Sequence, residues 1–259
     1  MADVVEKKAG ARPVPLPVAR REGKYSRRFA VVQLLVMVLF AGLLALFALL
    51  ISRSGSHESW SSFKPSGGET FGRAQNVANY VAPRYISNGA PLAVVQAQPL
   101  VYKEAVVDGI AFLRAPAQGV GSPYTQFETA SKTMLYVFCG AATGCGLPNP
   151  GIDVTPLLRE ESLELALYTF KYFPGINSVV TLLPPDRNRH PALLLRRRKL
   201  TAELEKPLAA TLPKRDRITV ASITDVEAVT VQQLTESSIF LSSFQQTPNG
   251  HTLLLLGRR

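Results

Sequence analysis

Residues 155–183 read TPLLREESLELALYTFKYFPGINSVVTLL, and their reading decides the fold. Thr155 is a suitable N-cap and Pro156 suits a first helical position, which predicts a helix over 157–173. Glu160 and Glu161 then fall near the positive end of its dipole, which makes them helix-start charges. Leu158, Ser162, Leu165, Ala166, Thr169, Phe170 and Phe173 share one face, and Leu163, Leu167 and Phe170 the adjoining one. So broad an apolar arc requires packing on two sides, as across a sheet. Pro174-Gly175 ends the helix, and 177–183 is a buried strand closed by Pro184-Pro185. A strand-like run at 134–138 precedes it, so strand, loop, helix and strand follow in the order of a right-handed crossover unit.

Upstream, Ala74, Val77, Ala78 and Val81 stand at helical spacing over 73–81, where Pro83 stops the helix. Runs at 92–96 and 106–113 have strand character. Gly119 to Pro123 is a loop whose glycines lack the spacing of a phosphate cradle. Downstream, 190–199 (HPALLLRRRK) reads as a strand with a basic end, after a turn at 186–189. A helix over 200–212, with Thr201 as N-cap, is bent or shortened at Pro207. Residues 218–234 suit a helix capped at Thr224-Asp225 or a valine-rich strand equally well. The chain closes on two strands, 238–245 and 251–256, around Asn249-Gly250, a strong hairpin signal; the second lacks alternation and is covered on both faces.

Residues 29–51 (FAVVQLLVMVLFAGLLALFALLI) carry no charge. As a helix they reach roughly 35 Å, enough to cross a hydrocarbon core of about 30 Å. The run is too long for a signal-peptide core and apolar all round, which predicts a single transmembrane helix. Eight Lys and Arg precede it and only Arg53 and Lys64 follow within the next twenty residues, which keeps the N-terminus cytoplasmic. The predicted organisation is a disordered basic tail (1–28), the span (29–51), a Ser/Gly linker (52–70) whose Trp60 and Phe63 mark an interfacial turn, and an extracytoplasmic α+β domain (71–259) with a mixed sheet and two or three helices. Of the net charge of +10, half belongs to the tail, so the pI near 9.8 does not describe a basic domain and no nucleic-acid partner is expected. Cys139 and Cys145, across a short Gly/Ala loop and outside the cytoplasm, suit a structural disulfide.

Chemistry is sparse. No Gly-x-Ser-x-Gly or equivalent signature accompanies the serines, and His57, His190 and His251 are scattered, so no catalytic, metal or cofactor residue is assigned. The one concentration of charge in the exported part is Arg187, Arg189 and Arg196 to Lys199; on a strand Arg196 and Arg198 share a face, and with Arg187 and Arg189 they form a possible anion-binding patch. The run 157–172, with 179–185 after it and Phe138-Cys139-Gly140 before it, resembles uncharacterised single-pass bacterial envelope proteins, a likeness that implies no activity. The expected role is a non-catalytic accessory or scaffolding subunit of a bacterial envelope assembly, in contact with the lipid bilayer and an envelope protein. The alternatives are an envelope-bound hydrolase with a dispersed site, or a binder of anionic envelope polymer.

Overall fold

The computed structural model describes residues 25–54, 59–99, 101–102, 105–113, 124–140, 145–147, 153–186 and 189–258. They fall in two compact units, Met1–His57 and Glu58–Arg259.

In the first unit, α1 (Tyr25–Ser54) is a single helix of 30 residues. Its described side chains, 29–44, are exposed on every side. Among the described residues no helix is long and apolar enough to cross a membrane, and the described side chains of α1 cover only part of its apolar run.

The second unit is an α+β fold with a mixed sheet and several helices. It opens with α2 (Thr70–Val81), which buries the predicted Ala74, Val77, Ala78 and Val81 and passes into a 3-10 turn, Ala82–Arg84, at Pro83. The short strands β1 (Ile86–Ser87) and β2 (Ala90–Pro91) form a hairpin through Asn88-Gly89, whose φ angles of 53° and 80° are those a two-residue turn demands. Then come β3 (Val94–Gln98), β4 (Val101–Tyr102), β5 (Ala105–Leu113), β6 (Tyr124–Thr129) and β7 (Thr133–Cys139). The loop expected at 119–123 lies outside the described residues.

The 155–183 stretch folds as α3 (Thr155–Tyr172) and β8 (Ser178–Leu182), and β7 pairs parallel with β8, so α3 is the crossover between them. The N-cap is Val154 rather than Thr155, because the Thr155 N–H is taken by Asp153 Oδ1 at 2.9 Å. Beyond it lie β9 (Pro191–Arg196), α4 (Thr201–Glu205), α5 (Asp225–Thr235), β10 (Ile239–Gln246) and β11 (Thr252–Gly257). The strand predicted over 190–199 stops at Arg196, and Arg197–Lys199 is a 3-10 turn. Helix α4 is short, as Pro207 requires, and its N-cap is Leu200 rather than Thr201. The ambiguous 218–234 region resolves to helix, because the Thr224 hydroxyl accepts from the Glu227 N–H and the Glu227 carboxylate accepts from the Thr224 N–H.

The nine-stranded sheet runs β3-β7-β8-β9-β10-β11-β5-β4, with β6 also on β5; β7 with β8 and β11 with β5 are its parallel pairs. The terminal hairpin β10–β11 forms around Gly250 at φ 81°, and Leu254, Leu255 and Leu256 are buried on both faces, as the missing alternation implies. Alternate strand residues feed two cores. Met134, Tyr136, Phe138, Val179 and Leu195 join the helices in the larger one, while Leu135, Val180, Leu194, Val107 and Leu254 build the other.

Cys139 and Cys145 are disulfide-bonded, with Cα atoms 4.3 Å apart. The closure is tight: Gly140 N–H donates to Cys145 O at 3.0 Å, and a Cβ on Gly140 would lie 2.2 Å from Gly146 O. The bond ties the end of β7 to the approach to α3. Loop-closure entropy for so short a ring is worth roughly 2 kcal/mol. Replacing both cysteines by alanine should therefore lower the thermal midpoint by about 4–8 °C, and an unchanged midpoint in calorimetry would refute the contribution.

Candidate functional site

Helix α3 is buried all round, and three of its buried residues are carboxylic acids: Glu160, Glu161 and Glu164, at 1%, 0% and 3% exposure. Glu160 and Glu161, expected as helix-start charges, are thus buried inside the domain rather than solvated. The sheet lies on one side of α3, and α2, α4 and α5 pack against it as well, so no face is left to water.

A carboxylate in such a place needs a cation, hydrogen bonds or a proton. Glu164 has the first two. Arg84, from the turn after α2, forms an ion pair with its Oε1, and the Tyr85 hydroxyl donates to its Oε2 at 2.8 Å. Arg84 also donates Nε–H to Tyr80 O at 3.3 Å and lies over the Tyr80 ring, 4.5 Å from its centroid. On α5, Glu227 is 4% exposed and forms an ion pair with Arg215, whose Nη1 also donates to Ser222 O at 2.8 Å.

Glu160 and Glu161 have protons instead. Burial first, and then the neighbouring Glu227, push the Glu160 carboxyl up to about 8, with Glu164 adding to the rise and Arg215 opposing it. Burial first, and then Glu164, hold Glu161 well above the usual carboxylate range, opposed by Arg84. Both Glu161 oxygens and Oε2 of Glu160 lack a hydrogen-bond partner among the described residues. Four carboxyls thus face two guanidiniums, and charge balances when Glu160 and Glu161 keep their protons.

Glu160 lines two hollows. One, about 160 Å³, is bounded also by Trp60, Tyr80, Arg84, Glu164 and Tyr168. The other, about 230 Å³, lies between α3 and α5 and is bounded by Asp153, Arg159, Val231 and Gln232 among others. The first is covered by residues 59–62, in the segment expected to form an interfacial turn. Trp60 packs edge-on against Tyr168 and Tyr172 at 5.3 and 5.9 Å, and Phe63 stacks on Tyr80 at 4.0 Å. The Ser61 and Tyr168 hydroxyls are 2.5 Å apart, Tyr172 OH donates to Phe63 O at 3.0 Å, and Leu208 N–H donates to Trp60 O at 2.9 Å. Aromatic residues following a long apolar run invite an interfacial reading; here a matching set of aromatics on α2 and α3 receives them. Trp60 is the only tryptophan of the chain. Its emission should be blue-shifted and poorly quenched by acrylamide while the domain is folded, and quenching like that of free indole would contradict the docked segment.

The arginine patch is divided. Arg196 Nε lies 2.8 Å from Glu128 Oε1, and its guanidinium covers the Phe112 ring. Arg197 donates from Nη1 to Phe170 O, from Nη2 to Phe173 O and from Nε to Ile176 O, at 2.5, 2.6 and 2.9 Å, closing the C-terminal end of α3. Arg198 is exposed, and with Arg196, Arg197 and Glu128 it lines a hollow of about 480 Å³. Arg189 is exposed on the turn closed by its backbone bonds to Asp186 and is not among the residues lining that hollow, and Arg187 lies outside the described residues. His190 and His251 are exposed, and His251 Nδ1 is 3.1 Å from Asp108 Oδ2. Among the described residues no group of three or more His, Cys, Asp or Glu is placed to hold a metal ion.

No protein-family model, curated protein or solved structure matches this chain.

Proposed function

We propose that this chain is a membrane-anchored, non-catalytic accessory or scaffolding subunit of a bacterial cell-envelope assembly, with a cytoplasmic N-terminus and an extracytoplasmic domain. The observation that carries the reading is the surface of α1. Phe29, Leu34, Met37 and Phe40 are exposed at 76, 67, 67 and 65%, and their apolar neighbours are similarly bare. A continuous apolar surface of this kind marks a membrane or partner contact, since each Å² left in water costs about 25 cal/mol. The uncharged run continues to Ile51, giving roughly the length that a bilayer core requires. The Cys139–Cys145 disulfide accords with an oxidising compartment. Within the domain, Arg84, Arg196, Arg197 and Arg215 are all engaged in holding the fold together, which suits a scaffold.

Alkaline carbonate washing of membranes from the source cell is the direct test. The chain should stay in the pellet, and protease added from outside should remove the domain. Release into the wash would overturn the anchor. Cross-linking in the native membrane should then yield one stoichiometric envelope protein, and a chain that cross-links to none is not an accessory subunit.

One observation favours a second reading, an envelope-bound hydrolase. Glu160 is a carboxyl that keeps its proton near neutral pH beside a cavity, as a general acid would. Chromogenic glycosides and esters presented to the full chain and to Glu160→Gln decide it: turnover lost in the variant supports the enzyme, and equal behaviour excludes that role.

A further inference from the structure

Among the described residues strand β3 is an edge of the sheet, paired antiparallel with β7 on one side only. In such a pair alternate residues direct both backbone groups to the partner, and the others direct theirs outward. At Val95 and Ala97 the outward groups are met by a side chain. Gln75 of α2 donates Nε2–H to Val95 O at 3.1 Å, and its Oε1 accepts from Ala97 N–H at 2.8 Å. Gln75 Nε2 also donates to Asn79 Oδ1 at 2.8 Å, which holds the carboxamide in place.

A side-chain carboxamide is a peptide group in miniature. Its two bonds reproduce what one residue of a parallel strand makes: donation to the carbonyl of one residue and acceptance from the N–H two positions on. Around it lies a groove of about 550 Å³ between α2 and β3, lined by Ala78, Asn79, Val94, Gln96 and Gln98 among others. Val94 is 63% exposed there. None of the lining residues is ionisable, on a chain whose net charge is +10.

We infer that the β3 edge is a docking site for an extended, uncharged polypeptide segment of another chain, which adds as a strand parallel to β3 and displaces the Gln75 carboxamide. The hydrogen-bonding pattern selects the direction. The neutral lining selects the sequence, because a charged side chain would lose water there and find no counter-ion. A second copy does not fit: β3 against β3 about a two-fold axis would be antiparallel. Main-chain bonds would supply affinity and the groove specificity, as in other strand additions. The inference rests on the subunit reading and gives it a contact surface. Gln75 meanwhile keeps the edge from pairing indiscriminately.

The test uses the full chain in detergent micelles and a fluorescent, end-blocked eight-residue peptide of alternating Val and Thr. Gln75→Ala should bind it about tenfold tighter than the wild type, since two modest hydrogen bonds no longer need displacing. Ala97→Pro removes an outward N–H from an edge strand, where proline is tolerated, and should lose binding about tenfold. A peptide N-methylated at every residue, with no N–H left on either edge, should not bind. A benzophenone on the peptide N-terminus should label the Val94 end of β3, and one on its C-terminus the Gln98 end. Unchanged affinity in Gln75→Ala, equal binding of the N-methylated peptide, or the reversed labelling pattern would each overturn the inference. A chain that fails here but still cross-links to one envelope protein loses the edge site and keeps its role as a subunit.

Discussion

Arg84→Met should destabilise the domain by roughly 3–5 kcal/mol, because it leaves Glu164 charged, buried and facing only the Tyr85 hydroxyl. The partners are 15% and 4% exposed at their side chains, so bulk water screens the pair little. The double variant Arg84→Met/Glu164→Gln separates loss of the pair from loss of packing. It should be much more stable than Arg84→Met alone, since an amide can stay near Tyr85 without an uncompensated charge. Denaturant unfolding of the full chain in micelles, with all variants compared as a double-mutant cycle, measures this. If the double variant is no more stable than the single one, the guanidinium acts through its contact with Tyr80 and its carbonyl rather than through charge.

The features that were legible in the sequence are those with local causes. Pro174-Gly175 stops α3, Asn249-Gly250 closes the last hairpin, and the strand-helix-strand order around Cys139 and Cys145 becomes a parallel pair with its crossover. The parallel pairing of β11 with β5 joins segments from the two ends of the domain, which no local pattern encodes. Trp60 and Phe63 could be seen as aromatic, but not that Tyr80, Tyr168 and Tyr172 would receive them. The basic end of β9 was visible as charge; that Arg197 would cap α3 was not, because the carbonyls it meets belong to a helix end rather than to a motif.

The buried acids were hidden for a different reason. A helix packed on every side loses the polar stripe that tells inside from outside, so Glu160 and Glu161 look like ordinary helix-start charges and nothing marks Glu164 as buried. One signal did point to them. An apolar arc covering two faces of 157–173 leaves little solvent-facing surface, and three glutamates within five positions cannot all find room on it. What the sequence could not supply was their partners: Arg84 stands 80 positions from Glu164.

Stability should fall as pH rises from about 4.5 to about 8, and Glu160 should be a principal cause. In the unfolded chain its carboxyl ionises near the ordinary value; in the fold, burial and Glu227 raise it to about 8. Below about 4.5 both states hold the proton and the contribution is complete. Between the two values only the folded state holds it, so each pH unit favours the unfolded chain by roughly 1.4 kcal/mol, until the folded carboxyl ionises as well. Glu161, raised in the same direction, adds its own slope. Asp153 acts oppositely, since its hydrogen bonds to Thr155 depress it, but its contribution is lost only as pH falls below the ordinary carboxylate value, outside this window. Glu160→Gln keeps the shape of the side chain and removes the proton equilibrium. The variant should match the wild type near pH 4.5, become more stable than it as pH approaches 8, and show a shallower slope between. Unfolding free energies measured at half-unit pH steps give both curves; parallel curves would mean that Glu160 ionises alike in the folded and unfolded chain, and that charge balance at α3 is struck without its proton.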